Sequence, residues 1–405
     1  MGKDRKTARL IPTSEKKELR ATSALLAALT VVRPFSKALL AETKASKASR
    51  AEVTAEIEPS FQPKGKRPDG LIEVYTGRSK TFVALVETKV GSGRLNAQQV
   101  KNYLSIARSN RFDCLITISN EISPAPGLHP TNGVKVRKNS SVQVLHLSWA
   151  KILAVATKIK NEQKVGDPEQ AWILDELIYF LEHKSLGAME FESMGRSWPK
   201  VRDGAATGEL QKGDAVIDIA QRWDQLLAFL SLRLGSEIGQ DVEEIISRRE
   251  QSNPYLRTER FVRELTEKNG VLSGKMRVPD AVGEIDLLVS VGALKAHIST
   301  TIDAPKGKKS RGSVSWLIKQ LELAPGSLMI KSNVGGSWLG PVKLSKVRIA
   351  PDLLIGDRAE AISGFKIINS YHLGKNSADS GKKKGFSSTL LKAVLSFYDV
   401  VLRVL

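Results

Sequence analysis

The sequence predicts a mixed α/β (α+β) protein with a mixed-sheet core in its first half, a helical connector and a second α+β domain. Three observations carry that expectation. Between 51 and 165, short apolar runs broken by Gly, Pro and Asp alternate with one amphipathic stretch. Between 166 and 254 the apolar spacing is helical, and from 255 to 405 the alternation resumes in a similar order. At 405 residues the chain exceeds the usual size of one core, which suggests several compact units.

Residues 1–50 form a basic helical segment. Ser14 precedes charged residues and then Leu19, Leu25, Leu26 and Leu29, which predicts a capped helix ending near Pro34 and resuming through Leu39 and Leu40. Twelve Lys and Arg against four Asp and Glu give this segment a net charge of +8, out of +19 for the chain. Such an excess favours polyanions through counterion release and faster encounter, and nucleic acid leads anionic membranes as the expected partner. A solvated helix face explains the same charge without any partner.

In 51–165, "LIEVYTG" and "TFVALVETKVG" predict a hairpin, "LNAQQVKNYLSIARSN" an amphipathic helix and "FDCLITISNEI" a buried strand. "VQVLHLSW" adds a strand and "AKILAVATKIKN" a closing helix. The connector holds "DPEQAWILDELIYFLEHK" and "DAVIDIAQRWDQLLAFLSLRLG", the second expected to stop at its glycine. The last segment gives a helix, three strands, a helix and a strand. That order repeats the first unit and suggests a divergent duplication. The lone Cys114 excludes a disulfide framework. "ATSALLAALTVV" is short for a membrane span and lacks a convincing cleavage site, so a soluble cytoplasmic protein is expected.

Alternation along "TFVALVETKV" puts Val83, Leu85, Glu87 and Lys89 on one face and Phe82, Ala84, Val86 and Thr88 on the other. Two charges therefore end an apolar stripe, which is costly unless they are paired or hold a metal. Asp69, at the mouth of the neighbouring strand in "RPDGLIEVYTG", can lie beside Glu87. Two carboxylates at one point make a hard oxygen site suited to Mg²⁺ or Mn²⁺, with the Thr88 carbonyl as a further ligand. Such a site supports phosphodiester hydrolysis, with Lys89 orienting the attacking water or neutralising phosphate charge. A solvated Glu87–Lys89 pair beside a turn-capping Asp69 is the plainer reading.

"RPDG" followed after a short hairpin by "ETK" resembles the PD-(D/E)xK nuclease superfamily over about residues 50–165. Asp69, Glu87 and Lys89 match its acidic, acidic and lysine positions. Gln99 and Tyr103 match the Q-x-x-x-Y helix of its RecB-type members, and residues four apart share a helix face. The resemblance implies a restriction-endonuclease-like core, a Mg²⁺- or Mn²⁺-dependent nuclease acting on DNA, and a role in defence or repair. It also implies another acid in or after the first helix. Glu18, Glu42, Glu56 and Glu58 are the candidates, and "VTAEIEPSF" favours Glu58.

The five histidines show no metal-ligand spacing. His146 reads as a hydrogen-bonded structural residue, while Asn120 and His129 are secondary candidates for touching substrate. No phosphate-binding glycine loop or serine-nucleophile elbow is present. Of the tryptophans, Trp198 is the one expected to be exposed. In the last segment, Asp286, Asp303 and Lys306 echo the first unit imperfectly, since Asp303 and Lys306 cannot share a strand face. A degenerate copy that binds nucleic acid through Lys306, Lys308, Lys309 and Arg311 fits better than a second active site, and a solvated loop on an unrelated α+β domain explains the same residues equally well. The rival for the whole chain is a non-catalytic nucleic-acid-binding or stress-associated protein that keeps a nuclease fold.

Overall fold

The computed structural model describes residues 7–11, 15–47, 51–61, 67–123, 128–135, 140–162, 165–268, 270–356, 361–380 and 383–405. The protein is mixed α+β, and the chain divides into two compact units. One comprises 1–192 with 235–240, the other 193–234 with 241–405. No helix among the described residues is long and apolar enough to cross a membrane.

The first unit opens with α1 (Lys17–Val31) and α2 (Arg33–Leu39), separated at Val32. Ten of the fifteen α1 residues are buried, so this segment packs into the first unit's core and is not a separate basic arm. The expected Ser14 cap lies outside the described residues; Lys16 holds the N-cap position, and its side chain does not cap the helix. Five strands follow: β1 (Ala51–Ile57), β2 (Gly70–Thr76), β3 (Ser79–Thr88), β4 (Cys114–Ser119) and β5 (Gln143–Ser148). They pair in sequence order, antiparallel through β3 and parallel from β3 to β5, so the sheet is mixed. Helix α3 (Ala97–Ser109) crosses between β3 and β4, while α4 (Trp149–Asn161) and α5 (Pro168–Glu182) follow β5.

Both faces of this sheet are covered. Phe82, Ala84 and Val86 join the cluster made by α1, α2, α4 and α5, whereas Val83 and Leu85 join the cluster under α3. Their alternation is the strand period expected from the sequence. β1 went unpredicted because "AEVTAEI" carries charges on an edge strand, where one side faces solvent.

The second unit starts with α6 (Trp198–Thr207), and α7 (Asp214–Ile238) runs past Gly235 for another turn instead of stopping there. After β6 (Glu243–Glu244), α8 (Arg248–Ser252) and α9 (Tyr255–Glu267) come β7 (Val271–Arg277), β8 (Ile285–Ser290) and β9 (Lys295–Asp303). The remainder is α10 (Ser310–Gln320), β10 (Met329–Val334), β11 (Ser337–Lys343), α11 (Leu344–Ile349), β12 (Ile362–His372) and α12 (Phe386–Val400). The connector expected at 166–254 is therefore no body of its own, being divided between the units.

From α9 the order helix, three strands, helix, strand is found as expected. The sheet order is β11-β10-β12-β9-β8-β7-β6, antiparallel throughout. In the first unit the third and fourth strands touch; here β12 lies between β9 and β10. Burial alternates residue by residue along β8 and β10, the signature of a sheet with one face toward solvent. Trp198 is fully buried, tilted against Phe386 at 4.3 Å between ring centroids; the exposed tryptophans are Trp172 and Trp338.

Candidate active site

Asp69 stands one residue before β2. The register that pairs Gly70 with Val86 places Asp69 opposite Glu87. The Thr88 N–H donates to Asp69 Oδ2 at 2.8 Å, and the Glu58 N–H donates to the Asp69 carbonyl at 3.1 Å. The aspartate is thus held from both neighbouring strands. Glu87 is 1% exposed because it ends the stripe that α3 covers. Its Oε1 accepts from Lys89 Nζ at 2.8 Å, while its Oε2 is buried without a partner.

Lys89 is fixed through its main chain. Its N–H donates to the Ile118 carbonyl at 2.7 Å, and its own carbonyl accepts from Trp149 Nε1 at 2.8 Å. From that anchor Nζ also reaches the Thr88 carbonyl at 3.1 Å and Glu18 Oε2 at 3.3 Å. Glu18 lies in the first turn of α1. Among the four candidate acids it is Glu18 that reaches Lys89. Glu58 instead takes a left-handed backbone, φ +47°, at the end of β1. A Cβ on Gly93 would come 3.4 Å from Glu18 Oε1, so the loop after β3 approaches the cluster closely.

Burial raises the Asp69 carboxyl above its ordinary value, against the pull of the Thr88 N–H and Lys89. Burial and then the Asp69 charge push Glu87 up to about 7, against Lys89. Lys89 is itself held above its usual value: burial pulls it down, but the Glu87 hydrogen bond and the three surrounding carboxylates outweigh that. Three formal negative charges face one ammonium, a deficit of two.

Gln99 and Tyr103 adjoin this cluster on α3, which is capped by the Asn96 side chain accepting from the Gln98 and Gln99 N–H groups. Gln99 Nε2 donates to the Tyr103 hydroxyl at 3.3 Å, and that hydroxyl donates to the Arg67 carbonyl at 2.9 Å. The pair ties down the segment two residues ahead of Asp69. Burial and the Glu87 charge raise the Tyr103 phenol, which keeps it a donor.

Behind Glu87 the register continues the row through Thr117 to His146. His129 Nδ1 accepts from the Thr131 N–H at 3.1 Å, so Nε2 carries the proton and donates to Thr117 Oγ1 at 2.9 Å. His146 Nε2 donates to the Glu121 carbonyl at 2.7 Å, leaving Nδ1 to accept from the Thr117 hydroxyl at 3.0 Å. Burial pushes His129 down to about 4 and His146 to about 3, so both rings are neutral. Asn120 Nδ2 donates to the Gly91 carbonyl at 2.8 Å and also to the Leu186 carbonyl. Both secondary candidates therefore support the walls of the site: His129 holds Thr117, and Asn120 holds the loop after Lys89. Thr117 and Trp149 carried no motif; only the strand register and fold bring them here.

Among the described residues no group of three or more His, Cys, Asp and Glu side chains is arranged to hold a metal. The oxygen donors at hand are the Asp69 and Glu87 carboxylates and the Thr88 carbonyl. Their fit to a hard divalent ion rests on the partnerless buried Glu87 Oε2 and the charge deficit of two. Lys306, Lys308 and Lys309 lie in an exposed turn after β9, and Arg311, in the first turn of α10, is 3.9 Å from Asp352. No protein-family model, curated protein or solved structure matches the chain.

Proposed function

We propose that the chain is a Mg²⁺- or Mn²⁺-dependent nuclease of the PD-(D/E)xK type, with a restriction-endonuclease-like core that hydrolyses phosphodiester bonds in DNA. The observation that carries this reading is the buried pairing of Asp69 with Glu87 across the β2–β3 hairpin, with Lys89 bound to Glu87 and Glu87 Oε2 left open. Asp69, Glu87 and the Thr88 carbonyl would hold the ion, which when bound supplies Lewis acidity and a water of lowered pKa.

The remaining work belongs to the chain. The Thr88 N–H aims the Asp69 carboxylate by occupying Oδ2. Lys89 keeps its proton and brings positive charge to where a phosphoryl oxygen gains negative charge. Glu18 positions that ammonium from the α1 side. Tyr103 and Gln99 keep Asp69 in place through Arg67.

A second reading is favoured by one observation. The Lys89 ammonium already contacts both Glu87 Oε1 and the Thr88 carbonyl, an internal cation that suits a non-catalytic nucleic-acid-binding protein. Cleavage assays decide between them. Wild type with Mg²⁺ or Mn²⁺ degrades at least one substrate among linear, circular and branched DNA and RNA, and Asp69→Ala does not. A chain inert toward all of them fits the second reading.

A further inference from the structure

We propose that the open face of the second unit's sheet is a docking surface for single-stranded nucleic acid, with phosphates on a lysine row and a base stacked on Trp338. It rests on the nuclease reading only for the choice of polyanion. Cross-strand partners share a face. The register opposes Lys331 of β10 directly to Lys366 of β12, and Lys343 of β11 to Met329 one row away. Like charges set opposite each other destabilise a sheet. Yet none of these three lysines has an ion pair among the described residues, where Lys275 and Arg277 on the same face are paired with Glu284. An anion over the Lys331–Lys366 pair removes that conflict.

One row further along, Trp338 opposes Asn333, which opposes Gly364, which opposes Asp303. Trp338 is 42% exposed, although an indole of this size on a sheet ordinarily buries against a neighbour. β9 ends at Asp303, and the basic turn holding Lys306, Lys308 and Lys309 leaves from that end. Beside Lys366, on its other flank, the face sinks into a recess of about 660 Å³ bordered by Ile368, Ser299, His297 and Asp286, a volume that admits a nucleotide. Lysines that track a backbone around an exposed aromatic ring are the two ingredients of sequence-tolerant single-strand binding. A duplex keeps its bases stacked on one another and offers Trp338 none.

The test is fluorescence anisotropy of a labelled single-stranded oligonucleotide against the full chain in EDTA, where cleavage is blocked. Lys331→Glu with Lys366→Glu lowers affinity at least about tenfold and flattens the salt dependence by about two phosphate contacts. Trp338→Ala lowers affinity about fivefold or more, and Trp338→Phe restores most of it. Both sites are solvent-facing, and an unchanged melting temperature certifies the fold. Unchanged affinity in the double lysine variant, equal binding of duplex and single strand, or a neutral Trp338→Ala overturns the proposal. A chain that binds in this way but cleaves nothing overturns the nuclease reading and leaves this surface standing.

Discussion

The two units share a run of helix, three strands, helix and strand, yet they treat a similar polar position in opposite ways. In the first, helices cover both faces of the sheet, so the residue opposite Asp69, Glu87, is 1% exposed and its carboxyl is pushed up to about 7. In the second, one face is open, and the residue opposite Asp286 is Ser299, with Thr301 two positions on where the first unit has Lys89. Asp286 lies 3.5 Å from Lys275 on the strand beside it, a partly exposed ion pair. Such a pair is worth little and does little. What separates the units is a second layer of helices that makes an unpaired carboxylate oxygen costly, and so makes a cation welcome.

The comparison breaks most sharply at the paired acids. Asp69→Ala or Lys89→Ala lowers cleavage by about three orders of magnitude, the range for deleting one preorganised electrostatic group. Asp286→Ala leaves the rate unchanged, since the residue opposite it in the register is Ser299 and supplies no second carboxylate. A rate lost equally in both variants would mean that the units share one catalytic function.

The second unit has its own buried charges, and there the expected effect is on stability. Arg257 is buried and bound to both Asp224 and Glu244. Arg257→Ala strands two acids and costs about 3–5 kcal/mol in urea unfolding at pH 8. The sign with pH follows from the acids, which burial pushes up to about 6 for Asp224 and about 7 for Glu244. The folded state then binds more protons than the unfolded, so their stabilising contribution is complete below the usual carboxylate range. It is lost as pH rises through about 7, and the penalty of Arg257→Ala shrinks at pH 5.

Smaller effects sharpen the account of the site. Glu18→Ala lowers cleavage about 10- to 100-fold, as loss of a supporting partner does, while Glu58→Ala has no effect on rate. The reverse ranking would restore Glu58 as the additional acid. Tyr103→Phe loses one hydrogen bond to the Arg67 carbonyl and costs about 1 kcal/mol of stability.

The hairpin and its charged ending were legible because an apolar stripe that stops at Glu87 and Lys89 has few meanings. Glu18 was one of four candidates, because nothing local states that α1 brings its first turn to the end of β3. The sequence favoured Glu58 on the run "VTAEIEPSF", and there the Glu58 N–H meets the Asp69 carbonyl. In the second unit, Asp303 and Lys306 echo the motif in residue type but not in spacing, being three apart. Register moves the matching position to Ser299, and the intervening β12 was unseen because the pairing of distant strands leaves no local period. Trp198 was misjudged for the same reason: its cover comes from Phe386, far along the chain.

The most direct measurement is Mn²⁺ binding to the full chain by electron paramagnetic resonance, in wild type, Asp69→Ala, Glu87→Gln and Asp286→Ala. Wild type is expected to bind one ion per chain, which is lost in the first two variants and kept in the third. Stoichiometry that is unaffected by Asp69→Ala and Glu87→Gln would contradict that expectation.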